Sequence, residues 1–196
     1  MKKLLITASL AAAALPTAAQ AQAIPAAIVA VVDLDKVTSQ CNACKTASAA
    51  LRSQVTALQN REKTLATPLQ TEGRAIQASI DALNGKEPDA ALQARVKAFQ
   101  AKQQQGSQAL QRQQQQIQLN QQFVQKQIAD KIGPIYTQVM QRRGANLMVE
   151  IGQTLASGSN LDVTNDVLTA LNAALPTIRT TAPAQPPQQQ QQPQGR

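Results

Sequence analysis

Two cysteines, Cys41 and Cys44, form a CxxC motif, which is the best candidate in this sequence for a reactive or metal-binding site. Thiols at this spacing can bind zinc, exchange disulfides or close a structural disulfide. A zinc site would need two further ligands, but the sequence contains no histidine and no second CxxC motif. A thioredoxin-like redox motif would need a βαβ context, which the flanking residues do not supply.

A structural disulfide between Cys41 and Cys44 is the interpretation that the sequence favours, because it suits an oxidising compartment. Cysteines at positions i and i+3 of a regular helix lie too far apart for a relaxed bridge, so the turn would have to distort. The plain alternative is that both are small residues on an apolar helix seam. No nucleophile and base occur in a recognisable arrangement, and no glycine-rich phosphate loop is present. We therefore predict that the protein is not an enzyme and uses no cofactor or metal.

The first 23 residues have the composition of a secretory signal peptide. An apolar run follows Lys2 and Lys3, and an Ala-x-Ala cleavage site ends at Ala21 or Ala23. The alternative is a membrane anchor, but the apolar run is shorter than the ~20 residues needed to cross a bilayer. We therefore predict that the segment 1–23 is cleaved and that the mature protein is periplasmic.

The long middle of the chain, 37–143, has the apolar periodicity of two helices. From about Asp35 onward, apolar or small residues recur three and four positions apart, which indicates one helix seam. The segment 83–90, LNGKEPDA, predicts a turn, with Asp89 as a cap for the next helix. A second helical pattern then ends at Gly144. Helices joined by a short turn lie antiparallel, so we predict a hairpin arm of roughly 65 to 80 Å.

Glutamine dominates the returning helix and makes up more than half of 103–122. Such a composition is typical of disordered segments, but Leu110, Ile117 and Val124 recur there at sevenfold spacing, which indicates a helix. Glutamine is a good helix former. We interpret the glutamines as the polar faces of a helix that needs only a narrow apolar stripe against its partner.

The segments that flank the hairpin predict a small β body. The run AIVAVVD, 27–33, is short, apolar and β-branched, which is typical of a buried strand. ANLMVEI, 145–151, predicts a second strand, and QTLASGS, 153–159, a third. A final helix is expected to begin with Thr164 as its N-cap. Two or three short strands and one helix have too little surface to form a core alone, so oligomerisation is expected.

The predicted fold class is α+β and mainly α, with the hairpin inserted in a body formed by 24–36 and 144–175. The segment 176–196 is rich in proline and glutamine and has almost nothing to bury, so we predict a disordered tail. The core and subunit contacts of the body are predicted to comprise six apolar residues: Val29, Val31, Leu147, Val149, Val167 and Leu168.

The order of these elements, together with three short motifs, resembles the Skp/OmpH family of periplasmic chaperones. The motifs are AIVAVVDLDKV at 27–37, NLMVEI at 146–151 and DVTNDVLTALN at 162–172, the last close to that family's closing Asp-Ile-Thr-x-Asp-Val-Leu. The resemblance spans about 26–173. It implies a homotrimer whose strands build a central body and whose three hairpins enclose a cavity. It also implies an ATP-independent holdase for unfolded outer-membrane proteins.

The arm carries the positive charge of the protein. The segment 45–143 contains fourteen lysine or arginine residues against six acidic residues. These charges either keep a helical hairpin soluble or, with three arms around one cavity, attract anionic clients, anionic lipid or lipopolysaccharide. Nucleic acid is not an expected partner, because stacking aromatics are nearly absent. The predicted client-binding residues are spread along the arm: Arg61, Lys63, Arg74, Lys86, Arg95, Lys97, Lys102 and Arg112.

Three residues that weaken helices lie near one predicted level of the arm: Pro68 and Gly73 on the outgoing helix and Gly106 on the returning helix. A long coiled coil tolerates isolated breakers. The functional alternative is a hinge that widens the cavity for larger clients. Gly133 and Pro134 predict a second kink where the arm rejoins the body.

Two other functions are compatible with parts of the sequence. A structural or adaptor hairpin of the envelope would share the arm, although such proteins normally carry lipoyl-like β segments beside it, and none is visible here. A thiol oxidoreductase would depend on the CxxC motif alone.

Overall fold

A computed structural model describes residues 25–183 of the chain. The predicted signal peptide, 1–23, lies outside this range, as does 184–196, the larger part of the predicted tail. The described residues contain two strands, four α-helices and two single turns of 3-10 helix. In chain order the elements are β1 (Val29–Val32), α1 (Leu34–Gln40), α2 (Asn42–Asp81), α3 (Ala90–Arg143), β2 (Leu147–Glu150), the 3-10 turns Ile151–Gln153 and Ser159–Leu161, and α4 (Thr164–Ala174).

The body is built on a parallel pairing of β1 with β2, whose register begins with Val29 opposite Leu147 and ends with Val32 opposite Glu150. Parallel strands cannot be joined by a tight turn and need a long crossover connection. In this protein the crossover is the whole hairpin of α2 and α3. The strand pairing therefore holds the two ends of the arm together.

The segment after β2 forms no strand, so the prediction of a third strand over 153–159 is wrong. A turn of 3-10 helix and an irregular path occupy this segment instead. The physical reason is the lack of an apolar alternation that could pack on the body, and Leu155 is fully exposed. One isolated parallel bridge, between Val31 and Asp162, replaces the expected ladder.

One apolar core joins the body to the root of the arm. Val37 of α1, Val139 of α3 and Leu171 of α4 are fully buried. Because α3 contributes Ile135 and Val139 from its last turns, the core that supports the sheet also anchors the arm. The other buried members are mostly small: Ala30, Val32, Cys41, Ala43, Cys44, Val163, Val167 and Leu175.

The arm is a long pair of helices joined by a short turn. Helix α2 has 40 residues and α3 has 54, so at ~1.5 Å per residue they measure about 60 and about 80 Å. The Asp89 side chain accepts a hydrogen bond from Leu92 N at 2.8 Å, which confirms Asp89 as the N-cap of α3. Gly144 ends α3 with a φ of 67°, a left-handed conformation that glycine adopts without steric cost.

Residues that weaken helices do not interrupt the arm. Helix α2 continues through Pro68, and α3 continues through Gly106 and through Pro134. The break lies instead at Cys41, where a ψ of 128° separates α1 from α2. The helix that the sequence predicts from about Asp35 is therefore two helices, divided at the CxxC motif.

Two side-chain hydrogen bonds, here called the relay, connect the start of α4 with the end of β1. The same contacts show that the predicted N-cap role of Thr164 is wrong. Val163 occupies the N-cap position, and Thr164 is the first helical residue. Thr164 Oγ1 accepts a hydrogen bond from Asp33 N at 2.9 Å. Asp162 Oδ1 accepts one from Thr164 N at 2.8 Å. Hydrogen bonds from the side chain and the backbone of Thr164 hold the pKa of Asp162 below its usual value.

The relay predicts that Asp162→Ala lowers the free energy of unfolding by about 1 kcal/mol at neutral pH, because the first N–H of α4 loses its acceptor. The folded-state pKa of Asp162 is lowered. Its stabilising contribution is therefore present above the ordinary carboxyl pKa of about 3.9 and is lost as pH falls through the lower folded value. Urea unfolding at neutral pH and at about pH 2 measures the loss of stability and its dependence on pH.

The matched control is Asp35→Ala, since the Asp35 carboxylate makes no hydrogen bond among residues 25–183. Its effect should stay within about 0.5 kcal/mol. A penalty for Asp162→Ala that is unchanged at low pH would contradict the assigned role of the ionised carboxylate.

Candidate functional site

The eight predicted client-binding residues of the arm are all exposed. The structure brings two of them, Arg61 and Lys102, to one open groove of about 400 Å³ between α2 and α3. Arg95 is committed to an ion pair, with its Nε 2.7 Å from Glu72 Oε1 on the other helix. The hydrogen bond and the charge of Arg95 lower the pKa of Glu72, and Glu72 in turn raises the pKa of Arg95. This pair joins the two helices and leaves the Arg95 charge partly neutralised.

The three residues of the predicted hinge have different surroundings. Pro68 and Gly106 line the same groove as Arg61 and Lys102. A Cβ atom at Gly106 would lie 3.8 Å from Leu65 Cδ1, which is an ordinary contact. A Cβ atom at Gly73 would lie only 3.2 Å from Phe99 Cζ. Close packing of an aromatic ring therefore accounts for Gly73, while the hinge at Pro68 and Gly106 stays a prediction.

A disulfide joins Cys41 and Cys44 at the junction of α1 and α2. Both residues are buried in the common core. Cys41 Sγ also accepts a hydrogen bond from Cys44 N at 3.2 Å, and Asn42 N donates to Asn172 Oδ1 of α4 at 2.9 Å. No group of His, Cys, Asp and Glu within residues 25–183 could hold a metal ion. The motif thus lies at the root of the arm, where it fixes the non-helical residue between two helices.

The six predicted core residues of the body are not equally covered. Val31 and Val167 are buried, and Val29, Val149 and Leu168 are half-buried. Leu147 is 45% exposed, although it begins strand β2. Three further large apolar residues of the body are exposed beside or after the strands: Ile28, Ile151 and Leu155. The single chain therefore leaves apolar surface of its body in solvent.

The segment 176–183 packs against the arm, which differs from the predicted disordered tail. Its side chains alternate along the chain: Ile178, Thr180 and Ala182 are half-buried, whereas the residues between them are exposed. This twofold period is that of an extended chain lying on a surface. Ile178 packs against the common core, and the Arg179 guanidinium carbon lies 5.3 Å from the centre of the Phe123 ring. Composition predicts disorder here because it does not register this contact surface.

Side-chain amides of the arm hold this segment through its main chain. Gln127 Oε1 accepts from Arg179 N at 3.0 Å, and Gln127 Nε2 donates to Arg179 O at 2.8 Å. Gln54 Nε2, from α2, donates to Thr180 O at 3.1 Å. Asn120 Oδ1 accepts from Ala182 N at 2.8 Å. Four main-chain groups of the segment are thus paired with three amide side chains from both arm helices.

Asn120 is the centre of the amide network and is itself 4% exposed. Its Nδ2 donates to Gln54 Oε1 at 2.8 Å, and its Oδ1 also accepts from Gln116 Nε2 at 2.9 Å. Buried polar groups are tolerated when they are fully hydrogen-bonded. Asn120 therefore links α2, α3 and the C-terminal segment at one point.

We call the residues Gln113, Asn120 and Gln127 the amide stripe. They recur every seven residues on α3, each three positions after Leu110, Ile117 or Val124. In a heptad pattern the two sets occupy the two seam positions, of which the second is usually apolar. The Gln113 Oε1 atom is buried and has no hydrogen-bond partner among the described residues. The same sevenfold period that identifies the apolar residues could have identified the stripe.

These features define a hairpin-arm protein, in which the segments that flank the hairpin build a small body and the hairpin projects from it as an arm. The chain belongs to the OmpH-like outer membrane protein family, whose family model matches residues 28–171. Membership confirms the family that the end motifs indicate. No curated protein matches the chain. Among residues 25–183, no helix combines the length and the apolar character needed to span a bilayer.

A solved structure with the same fold is that of a protein from Caulobacter crescentus, described as an OmpH-like outer membrane chaperone. The two chains superpose with a TM-score of 0.65 at 19% identity, over 82% of this chain and 93% of the other. This likeness confirms the mainly helical fold with long helices and a small sheet.

Proposed function

We propose that the protein is an ATP-independent holdase of the periplasm, which keeps unfolded outer-membrane proteins from aggregating. Membership of the OmpH-like family supports a chaperone role. The observation that carries the proposal is the arm, two long helices with a sparse apolar seam, a row of amides and exposed basic side chains. A surface of this kind offers many weak contacts, which add up when a flexible client is enclosed.

The basic charge of the arm supports capture of clients rather than tight holding. Exposed lysine and arginine side chains stay hydrated, so each contributes little to binding energy. Their summed field nevertheless raises the rate at which an anionic chain arrives, and salt screens this effect. In the proposal, the arms attract unfolded clients or anionic lipid and the seam and its amides then hold the client weakly.

In the proposal three copies share their bodies, and the exposed apolar surface of the body supports such an interface. Ile28 is 56% exposed and Leu147 is 45% exposed. They are adjacent, since Leu147 N donates to Ile28 O at 3.2 Å. Apolar pairs of this kind at the edge of a two-stranded sheet are stabilised when a second sheet or copy covers them. Three arms would then stand around one cavity.

The charge argument predicts that a quadruple variant associates with its client severalfold more slowly at low salt. In this variant glutamine replaces four basic residues of the arm: Lys63, Arg74, Lys97 and Lys102. The probe is a urea-unfolded β-barrel protein, diluted into buffer with the full chain, and the readout is stopped-flow binding together with suppression of light scattering. The difference from the unmodified protein should vanish at about 1 M salt, where the Debye length is about 3 Å.

The matched control removes four basic charges nearer the root, by Lys36, Lys45, Lys131 and Arg142 to glutamine. None of these four residues forms an ion pair within the described range. If both quadruple variants slow capture equally, net charge alone is responsible. If the unmodified protein fails to suppress aggregation of the unfolded β-barrel protein, the holdase proposal is wrong.

The shared body predicts a concentration-dependent trimer that Leu147→Asp weakens by more than about tenfold, because a charge replaces an apolar contact. Sedimentation velocity over about a hundredfold range of protein concentration measures the change. Ile80→Asp is the control, since Ile80 is similarly exposed, at 39%, but lies near the far end of α2. A protein that sediments as a monomer throughout, or identical behaviour of both variants, contradicts the shared body.

A further inference from the structure

We infer that the amide stripe and Gln54 form a binding site for the main chain of an extended polypeptide, and that the chain's own segment 178–182 occupies this site when no client is present. The inference rests on the proposed function, since the polypeptide that exchanges with the segment would be the unfolded client. It goes beyond that function by naming the subsite, the bonding groups and the resident competitor.

The spacing of the stripe matches an extended chain. Seven residues of α-helix advance about 10.5 Å, and three residues of an extended chain advance about 10 Å. Gln127 binds Arg179 and Asn120 binds Ala182, so seven residues on the helix correspond to three on the segment. A peptide in this register stays in step with successive amides along the arm.

The bonds to the segment are made with groups that every polypeptide has. Gln127 pairs with both the N–H and the C=O of one residue, as a neighbouring strand would do. The bonds that Gln54 and Asn120 make to the segment also involve only its main-chain atoms. Recognition through the main chain gives affinity without a sequence requirement. A holdase for many clients needs this kind of recognition.

Gln113 extends the site beyond the resident segment. It is the next member of the stripe towards the tip of the arm, and its Oε1 is buried without a partner in the described part of the chain. A buried amide oxygen without a donor is unfavourable. The N–H of an extended chain, about three residues beyond the one bound by Asn120, would supply that donor. In this register the site is longer than the segment 178–182.

The resident segment can be released by changes within the segment itself, which leave the amide side chains of the site in place. Arg179→Pro and Ala182→Pro each remove an N–H that the amides accept. Neither change alters a residue of α2 or α3. Thr181→Pro is the matched control, because the Thr181 N–H makes no hydrogen bond within residues 25–183.

The experiment measures fluorescence anisotropy of two labelled peptides with the full chain and its variants. One peptide has the sequence of 177–183, TIRTTAP. The other is a nine-residue strand of a β-barrel protein, unrelated in sequence. We expect the Arg179→Pro/Ala182→Pro protein to bind both peptides about tenfold more tightly than the unmodified protein, since the competitor is released. Thr181→Pro should behave as the unmodified protein.

Adding Gln127→Leu to the double variant should abolish the gain in affinity for both peptides, while circular dichroism shows unchanged helix content. The inference is overturned if the double variant binds neither peptide more tightly. It is also overturned if only TIRTTAP binds, because the site would then be specific for the chain's own segment 178–182. Suppression of β-barrel aggregation by the unmodified protein is measured separately, so failure of the holdase proposal and failure of this site are distinguishable.

Discussion

The parallel pairing of β1 with β2 is the interaction on which the rest of the structure depends. Each strand has four residues, which is too little to be stable alone. The sheet is stable because α4 and the last turns of α3 share its core, through residues such as Val139 and Leu171. The arm therefore cannot detach from the body without unfolding it. The disulfide of Cys41 and Cys44 lies at the same junction and fixes where the arm begins.

On α3 the seam of the arm alternates between apolar and amide side chains. If leucine occupied the amide positions as well, the seam would be buried between the two helices and would offer a client no hydrogen-bonding groups. On α3, Ile117 and Val124 supply the apolar contacts, whereas Asn120 and Gln127 retain hydrogen-bonding groups at the edge of the hairpin. These amides present donors and acceptors to an extended segment that lies along the two helices. The charged residues lie outside this seam in solvent.

Local signals in the sequence are sufficient for β1, β2, the turn, the Asp89 cap and the glycine stop, because each depends on neighbouring residues. The errors at Thr164 and at the start of the tail share one cause, which is that a partner distant in sequence decides the outcome. The Thr164 side chain accepts a hydrogen bond from Asp33 N and does not cap its own helix. The start of the tail is ordered because amides more than fifty residues away bind its main chain. The glutamines of the stripe were interpreted as helix formers, since helix propensity does not indicate which side chain has a partner.

The central claim is that an unfolded polypeptide lies along the amide stripe of α3. Photo-cross-linking tests it directly, with benzoylphenylalanine in place of Phe123, whose ring faces the resident segment. The same replacement at Tyr136, which packs against the common core, serves as the reference. The account predicts cross-links to a urea-unfolded β-barrel protein from position 123 and almost none from position 136. Equal cross-linking from both positions, or none from 123 while the client is held, would contradict it.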